Sequence, residues 1–324
     1  MESGTADRTG GEATAPPEVP DGSFSRRKLL VAGVAGAAIL VGGGATAAEL
    51  VSHGLLPGKQ SLDRLEGGCS VTSPEFRFSA LGPAHSGTFY SNARGRTVGY
   101  TLAFPPGHAS GDPLPLVVML HGFGGNHTDA LAGMTPAQAV AIQVDGKSLP
   151  PMALVTVDGG GGYWNPHPGD DPMAMVVDEL IPLCQSMGAG RPPASVGMMG
   201  ISMGGYGALL IAERYPKLVH AVAAISPAVW TDYDQARSAN PGAYASATAF
   251  ASCDVVTHAS ALERTPVRIA SGADDPFHPG VEALAASLPS HAIVDISEGC
   301  HTGPFFASQE PASLTFLAGH LGQT

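Results

Sequence analysis

Residues 194–214 read ASVGMMGISMGGYGALLIAER. The segment up to Met199 is typical of a buried strand, and the apolar residues after Gly204 have the density and length of a helix. Between the two, GISMG at residues 200–204 matches G-x-S-x-G, which places a serine on a strained strand-to-helix turn. Glycine is needed on both sides of the turn because the strand and the helix approach each other closely there. The stretch therefore predicts that Ser202 is an exposed nucleophile at the end of a strand.

The same turn predicts one half of a site for a negatively charged oxygen. The N–H of Met203 would lie at the N-terminus of the following helix, where it can stabilise an oxyanion. HGFGG at residues 121–125 follows an earlier apolar strand and is similar to the loops that supply a second such N–H. We assign this N–H to Phe123, with Gly124 as the alternative. His121 and Gly124 are expected to bind substrate, and His121 and His127 are expected to shape the loop. The competing interpretation is that the glycines only form a tight turn.

A base and an acid are expected to complete the site, in the order serine, acid, histidine along the chain. His301 follows the last predicted strand, in EGCHTG at residues 298–303, and is assigned as the base. His278 is the main rival, but it is expected to begin a helix. Asp274 and Asp275 both follow a strand, within SGADDP, and either one satisfies the position required of the acid.

Short apolar segments alternate with helix-length segments through most of the chain. This alternation predicts an α/β fold with a mostly parallel, doubly wound sheet and helices on both faces. Several short strands between residues 74 and 104, the clearest at 97–104, predict an antiparallel N-terminal edge. The predicted parallel strands are 115–120, 153–157, 194–199, 221–225, 266–270 and 293–296, and the predicted helices are 136–144, 173–187, 204–214, 281–288 and 312–321. Because ligands bind beyond the carboxyl ends of parallel strands, the site is expected at that edge of the sheet.

The composition of the 324 residues limits the classes of function. A hydrophobic fraction of 44% with only 14% charged residues is enough for a sizeable core in one large domain. The net charge of −12 is the opposite of the positive excess that binds phosphate backbones, so no nucleic-acid partner is expected. His167, Asp170 and Asp171 lie in an acidic stretch without the spacing of a metal site, and neither a metal nor another cofactor is expected.

The N-terminal region predicts export. Residues 1–24 have almost no large apolar side chains and are expected to form a disordered tail. The next segment begins with Ser-Arg-Arg-Lys, continues as an apolar run and contains Ala45-Thr46-Ala47, and this pattern resembles a twin-arginine export signal with a cleavage site. The alternative is that residues 29–48 stay in the membrane as an anchor. The expected boundaries are 1–24 for the tail, 25–48 for the signal or anchor, 49–73 for a linker and 74–324 for the catalytic domain.

Four cysteines bear on the same expectation. Disulfides persist outside the cytoplasm, and Cys69, Cys184, Cys253 and Cys300 allow three full pairings. The sequence does not choose among them.

Three segments together resemble a known esterase family. GISMGGYGA at residues 200–208, ERYP at 213–216 and SPA at 226–228 are similar to the family that includes esterase D-type enzymes and the antigen 85 mycolyltransferases, in particular to its exported actinobacterial members. The resemblance runs from about Val98 to the C-terminus. It implies an α/β-hydrolase fold and acyl transfer from an ester through a serine-bound acyl intermediate.

The resemblance also bears on individual site residues. The family's G-x-x-D pattern implies that Asp275, three residues after Gly272, is the acid rather than its neighbour. After another predicted strand, DGGGGYWNPH at residues 158–167 carries Tyr163 and Trp164. From their position at a strand end, we expect both aromatic side chains to line the cleft and to bind substrate.

The resulting hypothesis is a secreted or envelope-associated serine esterase that hydrolyses small-molecule or lipid esters of carboxylic acids. The first alternative is a cell-envelope acyltransferase, although SMGG at residues 202–205 departs from the SMAA-like string of antigen 85. The second alternative is a binding protein that has the same fold without turnover.

Overall fold

The computed structural model of the chain describes residue 1 and residues 69–322. The predicted tail after residue 1, the export segment with its apolar residues 29–48, and the linker as far as residue 68 lie outside the described residues. The residues from 69 onward belong to a single compact unit. Of the helices that they form, none is long and apolar enough to cross a membrane.

Strands and helices alternate along most of the chain. The strands are β1 (Arg77–Phe78), β2 (Ala84–Ser91), β3 (Arg96–Ala103), β4 (Leu116–Leu120), β5 (Ile142–Val144), β6 (Lys147–Ser148), β7 (Ala153–Val157), β8 (Val196–Ile201), β9 (Val219–Ile225), β10 (Val267–Gly272) and β11 (Ile293–Ser297). The helices are α1 (Pro136–Ala139), α2 (Pro172–Ala174), α3 (Ile181–Ser186), α4 (Met203–Arg214), α5 (Tyr233–Ala239), α6 (Ala247–Ser252), α7 (His278–Ser287) and α8 (Gly303–Leu321). A π-helical segment, Met175–Leu180, joins α2 to α3, and a 3₁₀ turn spans Ala259–Leu262.

Eight strands form one sheet in the order β11-β10-β9-β8-β4-β7-β3-β2. The six strands from β11 to β7 are parallel to one another. At the N-terminal edge, β3 is antiparallel to β7 and β2 is antiparallel to β3. The short strands β1, β5 and β6 form a separate antiparallel sheet. The predicted fold class, a mostly parallel sheet with an antiparallel edge, is confirmed.

The central strands explain the continuous apolar runs in the sequence. Every residue of β4, β7 and β8 is buried. Along β4 the side chains alternate between two cores: Val118 joins the cluster that contains Leu209 of α4, and Val117 joins the cluster that contains Leu314 of α8. A strand covered by helices on both faces needs apolar side chains at every position.

The structure corrects the predicted helix at residues 136–144. Only Pro136–Ala139 is helical, with a capping box between Thr135 and Gln138, and Ile142–Val144 forms β5, which pairs with β1. Two β-branched residues in three favour an extended strand once a partner is present, and Ile142 is buried there.

Other boundaries move for similar reasons. Helix α8 begins at Gly303, nine residues before the predicted start at 312, because Pro304 is tolerated in a first helical turn and Pro311 does not end the helix. The short helices α5 and α6 and the 3₁₀ turn, all between β9 and β10, are additional elements that the sequence analysis missed. Each is too short to show a helical period.

Candidate active site

The turn between β8 and α4 has the strained geometry that its sequence predicts. Ser202 has φ 56° and ψ −121°, in the left-handed half of backbone space that non-glycine residues rarely occupy. A Cβ atom on Gly200 would lie 2.1 Å from the carbonyl oxygen of Gly204, and one on Gly204 would lie 2.0 Å from that of Leu120. Glycine is therefore required at 200 because the strand and the helix approach each other, and at 204 because α4 approaches the end of β4.

Two hydrogen bonds join the predicted serine, histidine and aspartate. His301 Nε2 lies 2.8 Å from Ser202 Oγ, and His301 Nδ1 lies 2.8 Å from Asp275 Oδ2. The Asp275 side chain is fully buried, and its other oxygen accepts a hydrogen bond from the N–H of Phe277. An ionised carboxylate only accepts, so Nδ1 carries the proton and Nε2 accepts from the serine hydroxyl.

The sheet explains why residues so distant in sequence meet. Ser202 directly follows β8, Asp275 lies three residues after β10, and His301 lies four residues after β11. These strands are parallel, so their carboxyl ends lie at one edge of the sheet, where ligands bind in open α/β folds.

The two rivals occupy other positions. The N–H of Asp274 donates to the carbonyl of Gly299, and the N-cap of α7 is Phe277 rather than Asp274. His278 begins α7 as predicted, and its Nε2 lies 3.2 Å from Glu282 on the same helix.

The predicted oxyanion loop forms a tight turn beside Ser202. The N–H of Gly125 donates to the carbonyl of Gly122, and Gly124 has φ +78°, as the third residue of such a turn requires. This hydrogen bond does not involve the N–H of Phe123. A Cβ atom on Gly122 would lie 3.5 Å from Ser202 Cβ, so the loop contacts the nucleophile. Met203 is the first residue of α4, and its N–H has no acceptor within the helix.

The buried position of His121 argues against its predicted role in substrate binding and agrees with its expected role in shaping the loop. Its side chain is fully buried; Nδ1 donates to the carbonyl of Gly122, and Nε2 accepts from the N–H of Gly159. Burial lowers the pKa of this imidazole, which keeps it neutral. Because both ring nitrogens are engaged, His121 instead holds the oxyanion loop against the loop after β7. His127 has a related role, since its ring accepts or donates at Thr101 Oγ1.

Tyr163 and Trp164 also do not line the cleft, contrary to prediction. Both have positive φ angles, and their rings are 4% and 0% exposed. The Trp164 indole donates to the carbonyl of His121, and the Tyr163 hydroxyl accepts from Trp230. Burial raises the pKa of Tyr163 to about 12. Glycine at position 207 leaves room for Trp164 against α4. Tyr163 and Trp164 are therefore part of the core that supports the site.

A cavity of about 280 Å³ lies beside the oxyanion loop. The loop itself, including Gly124 and the exposed Phe123, lines one side. The large apolar residues of the lining are Leu131, Ile201 and Phe306, and the centroid of the Phe306 ring lies 4.9 Å from that of His301. The sequence analysis missed these three residues. Two of them carry a usable signal, because Ile201 lies inside G-x-S-x-G and Phe306 lies five residues after His301.

Arginine side chains form salt bridges with the acidic stretch after β7. Asp170 pairs with Arg94 and Arg96, and His167 donates to the carbonyl of Gly162. Burial alone would raise the pKa of Asp170, but the hydrogen bond and charge of Arg94 together with the charge of Arg96 lower it. Within residues 69–322 no three potential metal ligands lie together.

One disulfide forms among the four cysteines, between Cys69 and Cys300. Cys184 and Cys253 are buried free thiols, so no full pairing of the four occurs. Burial raises the pKa of the Cys184 thiol to about 12, which makes it a poor nucleophile.

Comparisons with known proteins agree with this geometry. The family model described as "Putative esterase" matches residues 91–286, more than half of the chain. No curated protein sequence is similar enough to count as a match.

Among solved structures, an S-formylglutathione hydrolase from Agrobacterium tumefaciens superposes with a TM-score of 0.60 at 18% identity, over 78% of this chain and all of that one. A ferulic acid esterase gives 0.57 at 17% identity, over 76% and 100%. MPT51 of Mycobacterium tuberculosis gives 0.53 at 18%, over 77% and 100%. These superpositions show a shared fold, and the match to the family model shows the family. The chain belongs to the family described as "Putative esterase", with an α/β-hydrolase fold, and is a carboxylic-ester hydrolase.

Proposed function

We propose that the protein is an exported serine esterase in which Ser202, His301 and Asp275 form the catalytic triad. The observation that carries the proposal is the pair of 2.8 Å contacts that His301 makes with the other two side chains. A serine hydroxyl is a weak nucleophile until an adjacent base takes its proton, and the buried carboxylate keeps that base in the required tautomer.

The reaction follows from this arrangement. Ser202 Oγ attacks the ester carbonyl while His301 Nε2 takes its proton, and the N–H groups of Phe123 and Met203 stabilise the resulting oxyanion. His301 then returns the proton to the departing alcohol, which leaves an acyl group on the serine. Water, activated by the same histidine, attacks this ester and releases the acid.

The cavity beside the oxyanion loop is proposed to hold the acyl group. Its volume, about 280 Å³, is at the lower limit of ligand pockets, so it suits a short or single-ring acyl chain. Asp129 is the one charged side chain among the described lining residues, which favours an uncharged acyl group. The string SMGG at residues 202–205 departs from the SMAA-like string of antigen 85, so transfer of a mycolyl group to an envelope acceptor has less support than hydrolysis.

Export is supported by two independent features. The segment 25–48 has the pattern of a twin-arginine signal. The Cys69–Cys300 disulfide is of the kind that persists in oxidising compartments.

The test is labelling and turnover of the full chain. A fluorophosphonate should label the wild type at Ser202 and should not label Ser202→Ala, and the variant should lose p-nitrophenyl ester hydrolysis by on the order of 10⁴-fold or more. Ser287→Ala, which removes an exposed helix hydroxyl, is the matched control and should keep both properties. Labelling that persists in Ser202→Ala would refute the assignment.

A further inference from the structure

The disulfide is attached to the residue directly before the proposed base. Cys300 is bonded to Cys69, 231 residues earlier, and its side chain is 1% exposed. Residues 298–302 join β11 to α8, so the loop that carries His301 is only five residues long. The disulfide therefore tethers the chain at the residue next to the proposed base.

Backbone hydrogen bonds hold both ends of this loop, the second through the carbonyl of Thr302, which accepts from the N–H of Phe306. Before the disulfide, the N–H groups of Ala273 and Asp274 donate to the carbonyls of Ser297 and Gly299. Gly299 has φ +148°, and a Cβ atom there would lie 2.3 Å from the ring of Phe305, so the chain turns sharply at this point. After the turn, Cys300 is the last residue before His301, and its carbonyl accepts from the N–H of Thr302.

The segment on the other side of the disulfide also contacts the loop. Ser70, next to Cys69, has its hydroxyl 3.5 Å from a carboxylate oxygen of Glu298. Residues 69–70 and the histidine loop are thus linked to each other, although they are far apart in sequence.

We propose that the Cys69–Cys300 disulfide is a positioning element for the base: it holds the backbone at residue 300 so that His301 stays within hydrogen-bond distance of both Ser202 and Asp275. The inference rests on the proposed triad. Both contacts of His301 are 2.8 Å, and a displacement of about 1 Å in a catalytic group costs about 10²-fold in rate. A disulfide that merely restrains the unfolded chain would raise stability without affecting the rate of the folded enzyme.

Cys69→Ala tests this distinction, because it removes the bond without changing the loop sequence. Measured at least 15 °C below the melting temperature of each variant, kcat should fall by about ten- to a hundred-fold with KM nearly unchanged. The rate of fluorophosphonate labelling at Ser202 should fall by the same factor, and the pH profile of kcat/KM should shift. Cys253→Ala is the control, since it removes a buried thiol that belongs to no disulfide and should affect stability alone.

If Cys69→Ala does not fold, the folded wild type offers a second route. Mild treatment with a dithiol transfers two electrons and two protons to the bond, which gives two thiols while the reagent becomes a cyclic disulfide. Activity should fall as both thiols appear and return on reoxidation. A melting temperature that falls while kcat and the labelling rate stay at the wild-type values would overturn the inference and leave the triad intact. Absence of labelling in the wild type would instead contradict the proposed function.

Discussion

The carboxyl group of Glu310, which contacts the wall of the proposed acyl cavity, makes the stability of the protein depend on pH. Its side chain is fully buried in α8, and one carboxyl oxygen accepts a hydrogen bond of 2.6 Å from the N–H of Ala132, which lines the cavity. Within the described residues, the other oxygen has no hydrogen-bond partner. Burial raises the pKa of this carboxyl from 4.5 to about 8, although the hydrogen bond from Ala132 opposes the shift. At neutral pH the folded protein therefore holds Glu310 mainly as the uncharged acid.

The direction of the effect follows from proton binding. Between pH 4.5 and about 8 the unfolded chain has released the Glu310 proton and the folded chain has kept it, so the free energy of unfolding falls as the pH rises. The slope is at most about 1.4 kcal/mol per pH unit, which over this interval gives an upper limit of about 5 kcal/mol. Glu310→Gln keeps an oxygen for the N–H of Ala132 and cannot ionise. Its free energy of unfolding should therefore fall less steeply with pH, by up to about 1.4 kcal/mol per pH unit.

Urea unfolding of both proteins at pH 5, 6, 7 and 8 measures these slopes. The variant should gain stability relative to the wild type by about 1 to 4 kcal/mol between pH 5 and pH 8. Glu213, whose pKa burial raises to about 9, contributes equally to both proteins and cancels in the difference. Glu263→Gln, at an exposed carboxyl, is the control and should follow the wild type. Parallel pH dependences for wild type and Glu310→Gln would refute the reasoning, because they would mean that Glu310 is ionised in the folded state.

Two further predictions concern the site itself. Asp275→Asn should lower kcat by about 10³- to 10⁴-fold, because an amide stabilises the wrong histidine tautomer. The kcat of Asp274→Asn should stay within a few-fold of wild type. Ester hydrolysis by the purified variants distinguishes them, and equal losses would contradict the choice of Asp275. Ala132→Leu should fill part of the cavity and lower kcat/KM for p-nitrophenyl esters with long or aromatic acyl groups more than for acetate. A uniform change along the acyl series would place the acyl group elsewhere.

The sequence alone determined the parts of the site that depend on local chain geometry. The strand, the turn and the helix around Ser202 lie within 21 consecutive residues, and the glycine at 200 satisfies a steric requirement between near neighbours, whereas the one at 204 leaves room for the more distant Leu120. His301 and the pair Asp274 and Asp275 could be selected because they follow apolar strands, and strand ends in a parallel sheet share one edge. The choice of Asp275 within the pair came from the family resemblance. The fold class followed from the same alternation of strands and helices.

Only the tertiary structure decided where side chains point once the chain leaves a regular element. His121, Tyr163 and Trp164 all follow strands, as substrate-binding residues do, yet they turn inward. For the two aromatics the cause is a pair of positive φ angles, together with space that Gly207 leaves on a distant helix.

The same limit applies to pairings between segments that are far apart. The choice of Cys69–Cys300 over the other disulfides, the pairing of β5 with β1, and the closure of the cavity by Phe306 each depend on contacts across many intervening residues. Strand and helix periods describe neighbours a few positions apart, and they contain no information on which distant surfaces meet. That information resides in the packing of the whole core, which is formed only when the chain has folded.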